Sequence, residues 1–293
     1  MHTYIAGIDE AGRGPVIGPM VMTIAAIDEE DLDELEQHKI TDSKAYTPKQ
    51  RTLLLDTVTR LCEHETIILE PTDIDQALLT PGRNLNILEA ETSAKLIDQL
   101  IGRLGAYTVK KVILDCPSTN PQAYLEEVKK RVKHDVQLQA EHKADEKYRI
   151  VGAASIIAKT TRDQRIKQLK QRHHIDFGSG YPSDPKTASF IRQHHDDYDF
   201  FRKTWNTYKR VAVANQQHTL ATYQQPLSET TKQRQQQLQR LIDNEHFTNS
   251  PTKGTAELLR IKRPGITITL YRNGKLLFQG KNKQQWEQRL DQT

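Results

Sequence analysis

Close to its N-terminus the chain reads Gly7-Ile8-Asp9-Glu10-Ala11-Gly12-Arg13-Gly14-Pro15. An apolar run over residues 3–8 leads into this stretch, which is typical of a buried strand. Two carboxylates follow the run, and glycine and proline then indicate a turn. The stretch therefore predicts a core strand whose end carries two acidic side chains beside a tight turn.

Two further acidic residues stand at the ends of predicted core elements. Asp115 ends an apolar strand predicted over residues 109–114. Asp145 lies between an alternating strand over 136–140 and a long helix over 152–169. Core elements can bring such residues to one edge of a sheet, although they are far apart in the sequence. Each acid taken alone could instead cap a helix or face solvent, and that alternative stays open.

A cluster of these carboxylates would have a definite chemistry. Like charges in a partly buried site repel one another and raise each other's pKa values. Divalent cations relieve this repulsion, and Mg²⁺ or Mn²⁺ prefers oxygen ligands. Two such ions about 4 Å apart can clamp an in-line phosphoryl displacement. The expected members of the cluster are Asp9, Glu10, Asp115 and Asp145.

The remaining elements predict the fold class. Further strands are predicted over residues 20–27 and 66–69, and helices over 84–104 and 121–132. Strands come first and then alternate with helices. This order is typical of an α/β domain with a mixed sheet.

Composition indicates a globular and fairly polar protein. Hydrophobic residues make up 36% of the 293 residues, and charged residues make up 27%. The sequence has no run of about 18 apolar residues and no signal-peptide pattern before its first strand. Its two cysteines, Cys62 and Cys116, are too few for a disulfide framework. We therefore expect a cytoplasmic protein with no membrane partner.

The chain is expected to contain two domains. A large α/β domain with a C-terminal helical lobe is predicted over residues 1–212, a Gln- and Thr-rich linker over 213–231 and a small appendage over 232–293. The net charge of the whole chain is +4, but residues 215–293 alone hold twelve Lys or Arg against six Asp or Glu. A basic appendage of this kind could attract phosphate, although a solvated surface would have the same charge.

The appendage is predicted to be α+β. Residues 232–247 have helical spacing. Residues 265–271 alternate, and residues 276–280 form a second short strand after a turn that contains Asn273-Gly274, which is typical of a β-hairpin.

The quoted stretch closely resembles the signature of the ribonuclease HII family, the type 2 ribonucleases H, in its archaeal form. Further motifs of that family follow in the same order, and the resemblance covers residues 3–210. They are Thr41-Asp42-Ser43-Lys44, Asn84-Leu85-Asn86, Ile113-Leu114-Asp115-Cys116-Pro117-Ser118, His142-Lys143-Ala144-Asp145, Ala153-Ala154-Ser155-Ile156-Ile157-Ala158-Lys159, Gly178-Ser179-Gly180-Tyr181-Pro182-Ser183-Asp184 and Arg202-Lys203-Thr204-Trp205.

This resemblance implies a ribonuclease H-like fold and a metal-dependent endonuclease. The implied metal ligands are Asp9, Glu10, Asp115 and Asp145, which would hold two Mg²⁺ or Mn²⁺ ions. The implied partners are RNA–DNA hybrids and duplex DNA that contains ribonucleotides. Cleavage on the 5′ side of a ribonucleotide would leave a 3′-hydroxyl and a 5′-phosphate, which suits ribonucleotide excision repair.

The resemblance also assigns residues to the substrate. It implies that backbone groups of Gly12, Arg13 and Gly14 contact the ribose 2′-OH, and that Tyr181 stacks on the sugar of the next deoxynucleotide. Glycines allow a close approach of the backbone, and the 2′-OH is what distinguishes RNA from DNA at one site. Tyr181 could instead serve only in packing. Candidate phosphate contacts are Ser43, Lys44 and Lys159, for which solvated side chains are the alternative.

The appendage supports two interpretations. Residues 260–280 resemble part of the substrate-binding domain of ribonuclease HIII, where it precedes the catalytic domain, and this implies duplex contact by a basic hairpin that carries Tyr271 and Phe278. The alternative is a hairpin that only steadies the catalytic domain. Residues 235–242 also resemble the peptide by which replication proteins bind the sliding clamp. Leu241 and Ile242 replace its usual aromatic pair, so an amphipathic helix is preferred.

Rival functions make different demands on the sequence. Another nuclease of the same fold superfamily, such as a transposase or a Holliday-junction nuclease, needs acidic ligands but has no use for Gly12-Arg13-Gly14 together with Tyr181. A catalytically silent duplex-binding module has no need of four clustered acids. A dinucleotide-binding enzyme is disfavoured by the glycine spacing. We expect the chain to act as a monomer.

Overall fold

The computed structural model describes residues 2–38, 40, 46–105, 108–214, 227–252 and 256–291. The chain divides into two compact units, Met1–Val211 and Ala212–Thr293. Of the linker predicted over 213–231, residues 215–226 lie outside the described residues. Its two ends are helical, since a helix reaches residue 214 and the next begins at Glu229.

The larger unit is built on a five-stranded sheet. Its strands are β1 (Tyr4–Ala11), β2 (Met20–Asp28), β3 (Glu63–Leu69), β4 (Val109–Asp115) and β5 (Gln137–Glu141). They lie in the order β3-β2-β1-β4-β5. The pairs β3–β2 and β2–β1 are antiparallel, whereas β1–β4 and β4–β5 are parallel. The predicted mixed sheet is therefore confirmed, and β1 lies at its centre.

Helices cover both faces of this sheet. They are α1 (Leu32–Gln37), α2 (Pro48–Leu61), α3 (Pro71–Leu79), α4 (Leu85–Leu104), α5 (Pro121–Lys129), α6 (Ala144–Lys147), α7 (Arg149–His173), α8 (Pro185–His194) and α9 (206–214). Helix α4 shares one buried cluster with β1 and β4, and α7 shares a second cluster on the other face. None of the helices in the described ranges is long and apolar enough to span a membrane.

Gly7 explains how α7 comes so close to the central strand. A Cβ atom at Gly7 would lie 2.6 Å from the backbone nitrogen of Val151, which is far inside van der Waals contact. The first turns of α7 also carry the small residues Gly152, Ala153 and Ala154, all of which are buried. A small-residue surface on both elements therefore lets α7 pack directly against β1. This packing brings the residues of α7 next to Asp9.

The smaller unit is a four-stranded antiparallel sheet with two helices. Its elements are α10 (Glu229–Asn244), β6 (Thr248–Asn249), β7 (Glu257–Arg263), β8 (Ile266–Tyr271), β9 (Leu276–Gln279) and α11 (Lys283–Asp291). The strand order is β6-β7-β8-β9. Its core joins Ile261 and Ile268 of the sheet with Leu238 of α10 and Trp286 of α11.

The smaller unit confirms one prediction and corrects others. The hairpin of β8 and β9 is present, and Gly274 in its turn has a φ of +85°. Strands β6 and β7 and helix α11 were not predicted from the sequence. The expectation that the hairpin offers Phe278 to a duplex is wrong, because this side chain is buried in the core of the smaller unit. Strand β7 is not evident from the sequence because Leu258 and Leu259 are adjacent and charged residues flank Ile261, so the segment has no clear apolar–polar alternation.

Candidate active site

Three carboxylates meet where β1 and β4 lie side by side. The two strands are parallel with Ile8 opposite Leu114, so the residues that follow, Asp9 and Asp115, occupy neighbouring positions. One ligand atom from each of Asp9, Glu10 and Asp115 lies within 4.8 Å of the others. Strand β1 runs on to Ala11, so the two acids lie within the strand and not just beyond it. The parallel register therefore brings together acids that are more than a hundred residues apart.

Asp145 lies outside this three-residue cluster but is linked to it through Lys159. The Nζ atom of Lys159 is 3.9 Å from Oδ2 of Asp145 and 4.0 Å from Oδ2 of Asp9. The same ammonium group donates a hydrogen bond of 2.7 Å to Oγ of Ser155, one turn earlier in α7. The four predicted ligands thus lie near one another. The positively charged ammonium group of Lys159 lies between Asp9 and Asp145.

Burial and mutual repulsion make ionisation of this cluster costly. Burial raises the pKa of Asp9 to about 7; Lys159 opposes this effect and Asp115 adds to it. The pKa of Glu10 lies well above its usual range, first because of burial and then because of the charges of Asp9 and Glu89. A cation bound among these groups would stabilise their charged forms.

A tight turn follows the carboxylates. Gly12 has a φ of +82°, and a Cβ atom there would lie 2.1 Å from Nε of Arg162 and 2.8 Å from the carbonyl oxygen of Pro19. Only glycine fits this position without displacing its neighbours. Tyr181 lies beside the turn, since its ring is 3.5 Å from the place of a Cβ atom on Gly14, and it is 43% exposed. The structure thus brings Tyr181 next to Gly14, in the turn that follows Asp9 and Glu10.

The side chain of Arg13 is anchored on helix α4. Its Nε donates to Oε1 of Glu89 at 2.9 Å, and its Nη2 donates to Oδ1 of Asn86 at 2.7 Å. Glu89 is fully buried, and burial raises its pKa to about 7 although Arg13 opposes the shift. Sequence reasoning misses Glu89. The available signal was its position on the apolar face of α4, directly after Leu88.

Of the three predicted phosphate contacts, the structure describes only Lys159. Ser43 and Lys44 lie outside the described residues. Lys159 is described, and it lies among the carboxylates with 21% of its side chain exposed. Its structural role is therefore to balance the charges of Asp9 and Asp145, and a phosphate contact by Lys159 stays a prediction.

Two family models match different parts of the chain. The family model for ribonuclease HII matches residues 6–208, and a model described as a domain of unknown function, DUF3378, matches residues 226–293. The ribonuclease HII of Thermofilum pendens is 43% identical over 213 residues, which cover 71% of this chain and 98% of that protein.

Solved structures show the same fold. The crystal structure of ribonuclease H2 from Pyrococcus horikoshii matches with a TM-score of 0.65 and 36% identity, covering 73% of this chain and 99% of that one. The ribonuclease HII in the PCNA complex from Archaeoglobus fulgidus matches with a TM-score of 0.62 and 33% identity, covering 71% and 96%. The larger unit therefore has the ribonuclease H-like fold of a ribonuclease H enzyme. The chain belongs to the ribonuclease HII family.

Proposed function

We propose that this protein is an endoribonuclease that hydrolyses the RNA strand of RNA–DNA hybrids and also cuts on the 5′ side of single ribonucleotides in duplex DNA. The products would carry a 3′-hydroxyl and a 5′-phosphate. The observation that carries the proposal is the meeting of Asp9, Glu10 and Asp115 directly beside the turn at Gly12. Clustered carboxylates can hold the metal ions that assist phosphodiester hydrolysis. Glycines in the turn allow the backbone to approach the edge of a sugar closely.

The carboxylates fit divalent metal ions. Oδ2 of Asp9 is buried and has no hydrogen-bond partner among the residues that the structure describes. The raised pKa values of Asp9 and Glu10 indicate that a positive charge is needed to keep both ionised. Oxygen donors without cysteine or histidine favour Mg²⁺ or Mn²⁺. We propose that two such ions are held by Asp9, Glu10, Asp115 and Asp145.

When bound, these ions would supply Lewis-acid stabilisation of the charge that develops in phosphodiester hydrolysis. The protein's own residues would orient the ligands and bind the substrate. Lys159 would keep Asp9 and Asp145 oriented, since its ammonium lies within 4.0 Å of both. The backbone of residues 12–14 would contact the ribose 2′-OH, and the exposed ring of Tyr181 would stack on the following sugar.

The smaller unit is proposed to bind the duplex backbone. Among the residues that the structure describes, its exposed cations are Lys232, Arg240, Lys262, Arg263, Lys275, Lys281, Lys283 and Arg289. Arg263 and Arg289 also pair with Glu245 and stack on Trp286, so they help to hold the unit together. Exposed lysine and arginine side chains suit sequence-independent attraction to phosphate.

A clamp contact through residues 235–242 is not part of this proposal. The A. fulgidus relative was solved as a complex with PCNA. In this chain, however, Leu238 and Leu241 of that segment are buried in the core of the smaller unit. The segment is the amphipathic helix that the sequence favours. A monomeric state and a cytoplasmic location stay predictions.

A cleavage assay tests the proposed function. The full-length protein is incubated with three substrates of the same sequence: an RNA–DNA hybrid, an all-DNA duplex and a single-stranded RNA. Each substrate is tested with Mg²⁺, with Mn²⁺ and with EDTA. We expect cleavage of the hybrid but not of the other two substrates, and only when Mg²⁺ or Mn²⁺ is present. Equal cutting of single-stranded RNA, or cutting in EDTA, would contradict the proposal.

A further inference from the structure

One short segment holds every carbonyl group of the glycine-arginine-glycine turn. Nη2 of Arg202 donates to the carbonyl oxygen of Gly12 at 2.6 Å, and Nη1 donates to that of Arg13 at 3.0 Å. The indole Nε1 of Trp205 donates to the carbonyl oxygen of Gly14 at 3.1 Å.

Arg202 makes these contacts from a fully buried position. Its side chain has no solvent exposure, and its Nε also donates to the carbonyl of Gly18 at 3.0 Å. Removing a guanidinium from water is costly, and neutral carbonyls repay that cost only in part. An uncharged side chain could fill this buried space. The role that requires an arginine is therefore the donation of hydrogen bonds to the carbonyl groups of the turn.

These bonds fix the direction of two backbone N–H groups. In a trans peptide the carbonyl and the N–H of one unit point in opposite directions. Holding the carbonyl of Gly12 therefore fixes the N–H of Arg13, and holding that of Arg13 fixes the N–H of Gly14. The bond from Trp205 fixes the peptide between Gly14 and Pro15. Pro15 has no N–H, so this bond orients no donor directly, but it limits rotation of the turn at Gly14 and so supports the direction of the Gly14 N–H.

The clamping segment is itself held in place. Asp75 of α3 accepts hydrogen bonds from the backbone N–H groups of Lys203 at 2.7 Å and Thr204 at 2.9 Å. The backbone N–H of Arg202 donates to the carbonyl of Val16 at 2.9 Å. The guanidinium of Arg202 also lies 4.8 Å from the centre of the Trp205 ring, so the two side chains support each other.

We propose that Arg202 and Trp205 are positioning residues that orient the backbone of residues 12–14 towards the ribose 2′-OH. They do not touch the substrate. They hold the carbonyl side of the turn so that the N–H groups of Arg13 and Gly14 keep a fixed direction. This inference rests on the proposed function, since it takes the turn to be the part that recognises ribose.

Binding measurements in an Asp115→Asn background, which is expected not to cleave, test this inference. The affinity is measured for a duplex with one embedded ribonucleotide and for the same duplex made only of DNA. The background protein should prefer the ribonucleotide. Trp205→Phe keeps an aromatic ring beside Arg202 but removes the indole N–H together with part of the ring's volume, and it should lower that preference about fivefold, as expected for one hydrogen bond. Arg202→Lys should lower the preference further.

Affinity for the all-DNA duplex should stay within about twofold in both variants. Arg60→Lys, at an exposed position on α2, is the matched control and should change neither affinity. If Arg202→Lys does not fold, Trp205→Phe decides the matter. An unchanged preference, or a parallel loss of both affinities, would overturn the positioning role. A background protein that shows no preference for the ribonucleotide would instead overturn the proposed recognition itself, and the inference with it.

Discussion

Oδ1 of Asp115 accepts a hydrogen bond of 2.8 Å from the backbone N–H of Ala144. This bond ties the end of β4 to the first residue of α6, whose next residue is Asp145. One carboxylate oxygen of Asp115 therefore fixes the helix that carries another proposed ligand. An asparagine at position 115 can keep this bond through its own Oδ1, so the charge can be removed without losing the connection.

Asp115→Asn, and likewise Asp9→Asn, should lower kcat by about 10²–10³-fold or more while duplex binding survives. The reason is that each carboxylate is proposed to hold a metal ion and not the nucleic acid. Steady-state cleavage of a hybrid and equilibrium binding of the same hybrid measure the two effects. Asp33→Asn, an exposed acid on α1, is the control and should behave like the unaltered protein. Near-normal turnover of either site variant at saturating Mg²⁺ would refute the metal assignment.

Asp9→Asn should make the metal-free protein more stable at pH 8. The folded-state pKa of Asp9 is raised from 3.8 to about 7, so the folded state binds its proton more tightly than the unfolded state. Stability from this group is therefore present below about pH 4 and is lost as the pH rises to about 7. An uncharged asparagine avoids that loss.

Thermal unfolding in EDTA at pH 5 and pH 8 measures this effect. At pH 8 the variant should melt at least about 3 °C above the unaltered protein, and the gap should shrink at pH 5. Mg²⁺ should raise the melting temperature of the unaltered protein and reduce the gap at pH 8. A variant that melts lower at pH 8 without metal would show that the cluster is not under charge strain.

Tyr181→Ala should harm cleavage of a single embedded ribonucleotide more than cleavage of a long hybrid. A single ribonucleotide offers one register, whereas a long hybrid offers many, so losing a stacking ring matters most in the first case. Comparing kcat/KM on both substrates tests this, and Tyr181→Phe, which keeps the ring, should retain most activity. Equal losses on the two substrates would assign Tyr181 to packing beside Gly14.

Removal of residues 227–293 should raise KM and leave kcat nearly unchanged, since the proposed ligands all lie in the larger unit. Each phosphate contact adds about −0.9 to the slope of log affinity against log salt, so losing two or three contacts should flatten the slope by about 2. In the full-length protein, Lys262→Gln with Lys275→Gln should flatten it partly. Lys110→Gln, at the other end of β4 from Asp115, serves as the control. A lower melting temperature with an unaltered slope would mean that the smaller unit only steadies the catalytic domain.

Local patterns were sufficient to predict the strands of the larger unit and the place of the acids near their ends. The apolar runs before Asp9 and before Asp115 each predict a strand with an acidic end. The glycines that follow Glu10 predict the turn between β1 and β2. Parallel strands then bring the two ends together. The sequence predicts that these ends could meet at one edge of a sheet, and the structure shows that they do so because β1 and β4 pair in parallel.

Contacts between distant segments could not be predicted in this way. Arg13 pairs with Glu89, 76 residues away, and Arg202 reaches Gly12 across 190 residues. A buried arginine or glutamate in a helix or loop looks like a surface residue until its partner is placed beside it. The supporting residues of the site therefore become visible only in the folded chain, although the motif around Arg202 and Trp205 was apparent in the sequence.

The cleavage position on duplex DNA with one embedded ribonucleotide is the decisive measurement. With Mg²⁺ or Mn²⁺, we predict a single cut on the 5′ side of that ribonucleotide, an upstream fragment that a polymerase can extend from its 3′-hydroxyl, and a downstream fragment with a 5′-phosphate. The all-DNA duplex should stay intact. A cut on the 3′ side that leaves a 2′,3′-cyclic phosphate, or equal cutting of the all-DNA duplex, would contradict it.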